Sequence, residues 1–334
     1  MRFLLGVIVI AALGWFGYWF FGAQAATTAF ERWFDARRAE GWVADMSDIS
    51  IQGFPNRFDI NFNEITLADP ATGWAWEAPF FQLLALSYRP NHVIAVWPHT
   101  QRIATPDRKY TLASEDMRAS LVLRGDTDLA VERAILTAQS LILAATGAQV
   151  QTRAQALTLG VERVPTDPTS YRLGLNAEGF APSQDWRTQL DPDRTLPATL
   201  EALNADVTIA FDRPWDRFAI EDARPQPRQI RIRLAQATWG QLSLQAAGTL
   251  DVDSAGVAEG TVTIKAQNWR DIVTLMRNSG QVPGGVVSAL EEGLSLLARL
   301  AGNPKTLDVP LGFSKGRIWL GPVPIAAAPV LKLR

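Results

Sequence analysis

Residues 3–21 of the chain read FLLGVIVIAALGWFGYWFF and carry no charged side chain. A helix of this length spans about 28 Å, which is close to the thickness of the hydrocarbon core of a bilayer. The rest of the sequence is mixed in polarity and contains no second run of this kind. The sequence therefore predicts one membrane-associated helix followed by one large body.

Two interpretations of this run remain open, an uncleaved membrane anchor and a cleaved secretory signal. Arg2 and the tripeptide Ala23-Gln24-Ala25 supply the basic start and the small-residue cleavage site of a signal. The length of the run and its aromatic end favour the anchor, because aromatic side chains collect at membrane–water interfaces. Either way, we expect the body in the periplasm, on the far side of the inner membrane. The predicted anchor residues are Phe3, Leu4, Leu5, Val7, Ile8, Ile10, Leu13, Trp15, Phe16, Tyr18, Trp19, Phe20 and Phe21.

The composition excludes several kinds of site. The chain has 334 residues and a net charge of −2, so no basic field indicates nucleic acid as a partner. It contains no cysteine, which excludes disulfides, thiolate metal sites and cysteine nucleophiles. Histidine occurs only as His92 and His99, and this limits histidine-based catalysis.

The hydrophobic period changes after the first forty residues. Residues 26–40 place aromatic side chains at helical spacings and stop at Gly41, which predicts a linking helix. Residues 47–51, 58–62 and 65–67 instead alternate between apolar and polar side chains. Short alternating strands joined by turns that contain glycine and proline are typical of antiparallel sheets that bury one face.

The second half continues the strands and then forms helices. We predict helices over 268–278, with Asn268 as the N-cap, and over 284–301. Strands over 306–313 and 317–320 follow them.

The predicted fold is mainly β. It consists of an N-terminal transmembrane helix, an elongated curved antiparallel sheet that resembles a half-barrel or groove, and two C-terminal helices. The predicted domains are a transmembrane anchor or signal over 1–25, a linking helix over 26–40 and a periplasmic β-rich domain over 41–334. Residues 179–197 are predicted to form a polar loop with at most one helical turn.

No motif predicts a catalytic residue, a cofactor site or a metal site, and we do not expect an enzyme. His92 and His99 lack the HxH and HExxH spacings of metal sites and are expected at strand edges or turns. The segment DVDSAG (251–256) begins like a calcium loop, but Val262 takes the place of the chelating glutamate, so a hairpin turn is expected. The sequence contains no G-x-S-x-G motif, P-loop or dinucleotide fingerprint.

The remaining physical feature is abundant apolar and aromatic surface on alternating strands. A curved sheet with an apolar concave face could hold acyl chains, because each buried CH₂ group contributes about 0.8 kcal/mol. The alternative is that the same face is a filled core.

Several segments resemble an uncharacterised alphaproteobacterial envelope family, domain of unknown function 2125. These segments are GFPNRFD (53–59), APFF (78–81), LSYRPNH (86–92) and WP (97–98), and the match continues through DRP (212–214) to LGPVP (320–324). The resemblance implies one family domain behind an N-terminal signal or anchor and implies no known activity. The residues that carry it include Gly53, Phe54, Pro55, Arg57, Phe58, Pro79, Tyr88, Pro90, Asn91 and Trp97.

The strand-rich layout is also similar, more faintly, to AsmA-like and TamB-like envelope proteins, whose elongated apolar-grooved β structures are linked to phospholipid traffic. We therefore predict a non-enzymatic, membrane-anchored periplasmic protein that binds or transfers lipid or another apolar envelope component. Its expected partners are the inner membrane, a phospholipid or lipid-like ligand and envelope proteins, and no nucleic acid. A scaffold protein of an envelope complex and a hydrolase remain as alternatives.

Overall fold

The computed structural model describes residues 2–146, 151–221, 224–280, 284–301 and 305–333. The fold is mainly β, with 51% strand and 23% helix, a large antiparallel sheet, one long apolar N-terminal helix and two C-terminal helices, as the sequence predicts. The chain divides into two compact units, which are described separately below. The first unit holds residues 1–123 and 142–149, and the second holds residues 124–141 and 150–334.

The first unit combines one long helix with a set of short antiparallel strands. Strand β3 pairs with β1, β2 and β4, and β4 in turn pairs with β5 and β6. The elements are α1 (Arg2–Ala39), β1 (Val43–Asp45), β2 (Asp48–Gln52), β3 (Arg57–Asp69), β4 (Trp74–Leu86), β5 (Arg89–Val96), β6 (Thr100–Ala104), β7 (Lys109–Ala113), β8 (Asp116–Leu123) and the end of β9 (Val131–Ala145).

Helix α1 is continuous from Arg2 to Ala39. The predicted anchor and the predicted linking helix meet at residue 25, where the composition changes from apolar to mixed. The helix continues through that point because residues 22–30 contain no proline and only two β-branched residues, Thr27 and Thr28. It ends before Gly41, whose φ of 90° suits glycine alone.

The C-terminal half of α1 packs on one face of the sheet in the first unit. Phe30 and Phe34 contact the ring of Phe62 in β3, with ring centroids 5.0 and 6.3 Å apart. Phe34 and Phe62 are both buried, and Ala44, Ile65 and Ala78 complete this core. Helix α1 therefore belongs to the fold of the body as well as to the apolar N-terminus.

The second unit is an antiparallel meander in which each strand from β10 to β18 pairs with the next one along the chain. Its elements are the first part of β9, β10 (Gln151–Arg163), β11 (Ser170–Glu178), α2 (Gln184–Leu190), β12 (Ala202–Phe211), α3 (Phe218–Glu221), β13 (Pro227–Trp239), β14 (Leu242–Val252), β15 (Ala258–Gln267), α4 (Trp269–Ser279), α5 (Gly284–Ala301), β16 (Thr306–Ser314), β17 (Arg317–Leu320) and β18 (Val323–Ala327).

Two local predictions need correction. Asn268 precedes α4 as predicted but does not cap it: its backbone is left-handed, with a φ of 53°, and its side-chain amide donates to the carbonyl of Gln241 at 2.6 Å. The supposed loop over 179–197 contains the seven-residue helix α2, which Ser183 caps by accepting from the Trp186 N–H. Strand β18, which contains Pro324, is an addition to the predicted strands.

Candidate functional site

The register of the second unit places apolar side chains in continuous rows across its strands. Residues directly opposite each other in an antiparallel pair point to the same face of the sheet. One such row, called row one, crosses seven strands from β10 to β16 through Leu159, Leu175, Ala205, Ala235, Ala246, Ile264 and Val309. The neighbouring row, called row two, crosses the same strands through Val161, Leu173, Val207, Ile232, Gly248, Val262 and Leu311.

The opposite face of the same strands is polar. Moving one residue along each strand reverses the direction of the side chain. The row beside row one on this other face consists of Asn176, Asn204, Gln236, Gln245, Lys265 and Asp308. The sheet is therefore amphipathic across its strands, and rows one and two define what we call the apolar face.

An ion-pair network fixes part of the polar face. The Asp206 carboxylate accepts hydrogen bonds from Arg172, at 2.6 and 2.9 Å, and from Arg233. The hydrogen bond from Arg172 is the main reason that the pKa of Asp206 lies below its ordinary value. The same pair raises the pKa of Arg172. These charges remain on the side of the sheet that faces away from rows one and two.

Helices cover one end of the apolar face. Helix α5 packs on β16, and α4 contacts both α5 and β14. Under them lies a buried cluster that contains Ala266, Trp269, Val273, Val287, Leu294, Ala298, Leu307, Val309 and Leu320. At this end the apolar face is thus a filled core.

At the other end of the apolar face, row one stays accessible from β10 to β13. Leu159 is 40% exposed and Leu244, on the same face, is 36% exposed. Leu175, Ala205 and Ala235 of row one are half-buried. Since β strands are about 4.8 Å apart, this open stretch of row one is about 14 Å long.

Beyond β13 a buried cluster covers the face. Ala246 of row one and Ile232 of row two pack on Leu250, Ala258 and Val262.

A second apolar feature adjoins the covered end. A groove of about 480 Å³ lies between α5 and the β17–β18 turn. Ala289, Leu290 and Gly293 line it from the helix, and Leu320 and Val323 line it from the strands. Leu320 pairs with Leu311 of row two, so the groove borders the apolar face.

In the first unit, the predicted anchor residues meet part of the predicted family motif. The indole N–H of Trp15 donates to the carbonyl of Pro55 at 3.0 Å, and that of Trp19 donates to the carbonyl of Arg57 at 2.7 Å. The Tyr18 hydroxyl donates to the carbonyl of Ser87 at 2.6 Å. The turns β2–β3 and β4–β5 therefore both contact α1 within the apolar run.

Aromatic contacts reinforce this arrangement. The Trp19 ring lies 5.5 Å from Phe54 and 5.7 Å from Phe58, measured between centroids. A Cβ atom on Gly22 would lie 3.0 Å from the Phe58 ring, so this glycine lets the ring approach the helix. Gly53, with a φ of 98°, provides the reversal that presents Phe54 to α1.

The remaining motif residues are spread over the strands of the first unit. The Asn91 amide donates to the Leu123 carbonyl at 2.8 Å, and the Trp97 ring packs 5.2 Å from Phe81. Pro79 lies in β4 and Pro90 in β5, both exposed, and Tyr88 is exposed in the β4–β5 turn. The structure thus brings Gly53, Phe54, Pro55, Arg57 and Phe58 together with α1 and places Pro79, Asn91 and Trp97 elsewhere. The remaining anchor residues from Phe3 to Leu13, together with Phe16, Phe20 and Phe21, are exposed along α1.

The histidines have structural hydrogen bonds. His92 lies within β5, between β4 and β8, and not at an edge or turn as expected; its Nε2 lies 2.8 Å from the Ser120 hydroxyl. His99 lies in the loop before β6, with Nδ1 3.1 Å from the Ser114 carbonyl. Asp253 stabilises the predicted hairpin turn by accepting from the N–H groups of Ala255 and Val257. Among the described residues, no three His, Asp or Glu side chains are grouped as a metal site would require.

Helix α1 is long and apolar enough to cross a membrane, with a mean hydropathy of 2.0 in its most apolar stretch. A signal sequence would have the same properties. The apolar rows are not predicted from the sequence, since they depend on the register between strands far apart in the chain. The alternation of apolar and polar residues within each strand is the sequence signal for these rows.

The chain has a weak similarity to an enzyme. It is 27% identical to the thiamine-phosphate synthase of Streptomyces avermitilis over 186 residues, which cover 56% of this chain and 71% of the synthase. Identity at this level assigns no activity to the chain. No solved structure matches it.

The family comparison agrees with the resemblance found in the sequence. The match covers residues 19–329, from the aromatic end of the apolar run to the last strand. It includes both the turns that contact α1 and the whole of the apolar face. The chain belongs to the family described as "Uncharacterized protein conserved in bacteria (DUF2125)".

Proposed function

We propose that this protein is held at the inner membrane by α1, carries its body in the periplasm, and binds lipid acyl chains along the open part of the apolar face. The observation that carries the proposal is that row one is wholly apolar and stays accessible from β10 to β13. On this proposal the protein binds or transfers lipid and catalyses no reaction.

The chemistry of the face suits an acyl chain. Rows one and two present only aliphatic side chains and glycine, whereas the Asp206 ion-pair network of the same strands lies on the opposite face. A lipid chain laid on the rows would gain about 0.8 kcal/mol for each CH₂ group removed from water. An ion or a sugar would find no hydrogen-bonding side chain in either row.

The shape of row one also supports this occupant. Three consecutive strands contribute Ala205, Ala235 and Ala246, and the larger Leu159 and Leu175 precede them. We propose that the acyl chain lies across the strands over this run of small side chains, which we call the channel of row one. An extended hydrocarbon chain fits such a channel, because it is narrow and has no polar groups along its length.

The inner-membrane location rests on α1. Its apolar run is about as long as the hydrocarbon core is thick, and its residues from Phe3 to Leu13 are exposed. The absence of cysteine is compatible with an oxidising compartment.

The test compares two adjacent positions on β10 that point to opposite faces. Thr158 and Leu159 are both exposed, so Leu159→Glu puts a charge on the apolar face and Thr158→Glu puts the same charge on the polar face. The full chain, purified in detergent, is mixed with a fluorescent phospholipid, and the transfer of that lipid between vesicles is measured. We expect Leu159→Glu to lower transfer at least tenfold, because a charge in the channel would cost more than about 1.4 kcal/mol, and Thr158→Glu to leave it unchanged.

Equal effects of both substitutions, or no transfer by the wild type, would refute lipid binding at this face. In the second case, cross-linking in cells would test the alternative role as a scaffold of an envelope complex. A specific cross-linked protein partner would support that role, and a monomer alone would count against it.

A further inference from the structure

We infer that the tips of the β2–β3 and β4–β5 turns enter the headgroup layer of the membrane that α1 spans, and that α1 is retained uncleaved to hold them there. The inference rests on the membrane anchor in the proposed function and adds a second, body-side membrane contact. Its partner is the lipid surface itself, recognised through aromatic and basic side chains.

The position of the turns along α1 carries the argument. Trp15, Tyr18 and Trp19 bond to the backbone of the two turns, yet all three lie inside the apolar run that ends at Phe21. From Trp15 to Phe21 a helix rises about 9 Å. If the run lies in a bilayer, the turns lie up to that distance below its end, which is the depth reached by interfacial helices.

The exposed side chains of the turns match that depth. Phe54 is 50% exposed and Tyr88 is 65% exposed, one at each tip. Arginines stand next to both, since Arg57 follows the first tip and Arg89 follows the second, and both are exposed. Aromatic side chains with flanking cations are the residues that bind the interface between headgroups and acyl chains.

The same contacts bear on the choice between anchor and signal. Cleavage after Ala25 would remove Trp15, Tyr18, Trp19 and Gly22. The carbonyls of Pro55, Arg57 and Ser87 would then lose these donors, and the Phe58 ring would lose Trp19, which stacks on it. A cleaved signal needs no such fitted site on the mature body, and the structure provides one.

The absence of cysteine in the sequence makes a direct test clean. Tyr88→Cys places a unique thiol at one tip. Trp74→Cys is the matched control: it replaces another exposed aromatic residue, 56% exposed, at the start of β4, beside the turn at the opposite end of β3. Strand β3 is about 40 Å long. Phe54→Cys provides a second site at the other tip.

Each full-length variant is labelled with an environment-sensitive fluorophore and reconstituted into vesicles of phosphatidylcholine and phosphatidylglycerol that carry a headgroup spin label. We expect quenching at residues 54 and 88 to be at least threefold stronger than at residue 74. Equal quenching at all three sites would overturn the inference, as would quenching confined to residue 74.

Separate measurements distinguish this failure from failure of the proposed function. Alkaline extraction of the vesicles reports whether α1 is inserted, and the lipid-transfer comparison of positions 158 and 159 reports on the apolar face alone. An inserted chain with unquenched tips overturns only the inference. If the mass of the mature protein isolated from cells shows that it begins at Ala26, both the retention of α1 and its role as an anchor are overturned. Lipid binding at the apolar face would still be decided by its own test.

Discussion

The indole N–H of Trp19 donates to the backbone carbonyl of Arg57 across 38 positions of sequence, at a distance of 2.7 Å. The same indole packs between the rings of Phe54 and Phe58. One side chain of the apolar run thus joins α1 to the first turn of the body by both a hydrogen bond and ring contacts.

Substitutions at Trp19 should separate these two contributions. Trp19→Phe keeps a ring and loses the donor, so the body should lose about 1 kcal/mol of unfolding free energy. Trp19→Ala also loses the ring contacts, and a loss of about 3 kcal/mol is expected. Urea unfolding in detergent, followed by circular dichroism, measures both. Phe20→Ala is the control, because Phe20 is 55% exposed and its aromatic partners, Phe16 and Phe21, both belong to α1. A comparable loss of unfolding free energy in Phe20→Ala would contradict the role assigned to Trp19.

Filling the channel of row one should block lipid without adding a charge. Ala205 lies between Leu175 and Ala235 in that row, so a phenyl ring at this position would occupy the path of an acyl chain. Ala205→Phe is expected to lower the amount of bound phospholipid several-fold, as measured by mass spectrometry of the purified protein. Asn204→Phe puts the same ring on the polar face and should retain wild-type lipid. If both variants retain it, the channel is not the binding site.

Two glycines should respond in opposite ways to alanine. Gly293 lies inside α5, and a Cβ atom there would meet nothing closer than Leu320, at 3.8 Å; Gly293→Ala should raise the unfolding free energy by about 0.5–1 kcal/mol. At Gly248 in row two, a Cβ atom would lie 2.3 Å from the Thr261 carbonyl oxygen. Gly248→Ala should therefore lower stability by about 1–3 kcal/mol. Thermal unfolding of both variants checks the pair, and a shift of the same sign in both would be contrary to expectation.

Acid should remove the contribution of Asp191. Burial by itself would raise the pKa of Asp191, but the N–H groups of Leu196 and Thr195 and the Thr195 hydroxyl donate to the carboxylate and hold the pKa below its ordinary value. A group with a lowered pKa stabilises the fold above the unfolded-state pKa of about 4, and this contribution disappears as the pH falls through the folded-state pKa.

Asp191→Asn should therefore cost about 1–2 kcal/mol at pH 7, and the gap between wild type and variant should narrow below about pH 4. Unfolding curves at several pH values measure the gap. A difference that stays constant down to low pH would show that the carboxylate charge has no part in it. Asp253→Asn is the control substitution. The Asp253 carboxylate also accepts from backbone N–H groups, but it is exposed in a surface turn.

Local structure was predictable from the sequence where it depends on neighbouring residues. Alternation in residues 58–62 predicted part of β3, and the apolar spacing over 284–301 predicted α5. The N-cap prediction at Asn268 is wrong because a contact with Gln241, 27 positions away, overrides the usual capping role of asparagine. Strand β18 is hard to predict because proline is rare within strands, yet Pro324 pairs with Trp319.

The candidate sites lay beyond sequence reasoning for a related physical reason. Leu159 and Val309 belong to one row only through six successive strand registers, and a slip of one residue in any of them would turn the following strands over. Nothing local indicates that Trp15 and Trp19 bond to the carbonyls of Pro55 and Arg57. The composition of each strand makes one face apolar and the other polar, and the register between strands joins the apolar residues into continuous rows.

The aliphatic character of row one has a consequence for motion. An extended hydrocarbon chain lying on it would meet no polar side chain at any offset, so only differences in side-chain size would shape its energy profile along the row. With no polar group to fix its position, the hydrocarbon chain could slide lengthwise by one-dimensional diffusion. Its length would not be selected, and it would not be held at one position. A surface of this kind suits the transfer of lipid better than its long-term binding. It would select acyl chains by their thickness and degree of branching more than by their length.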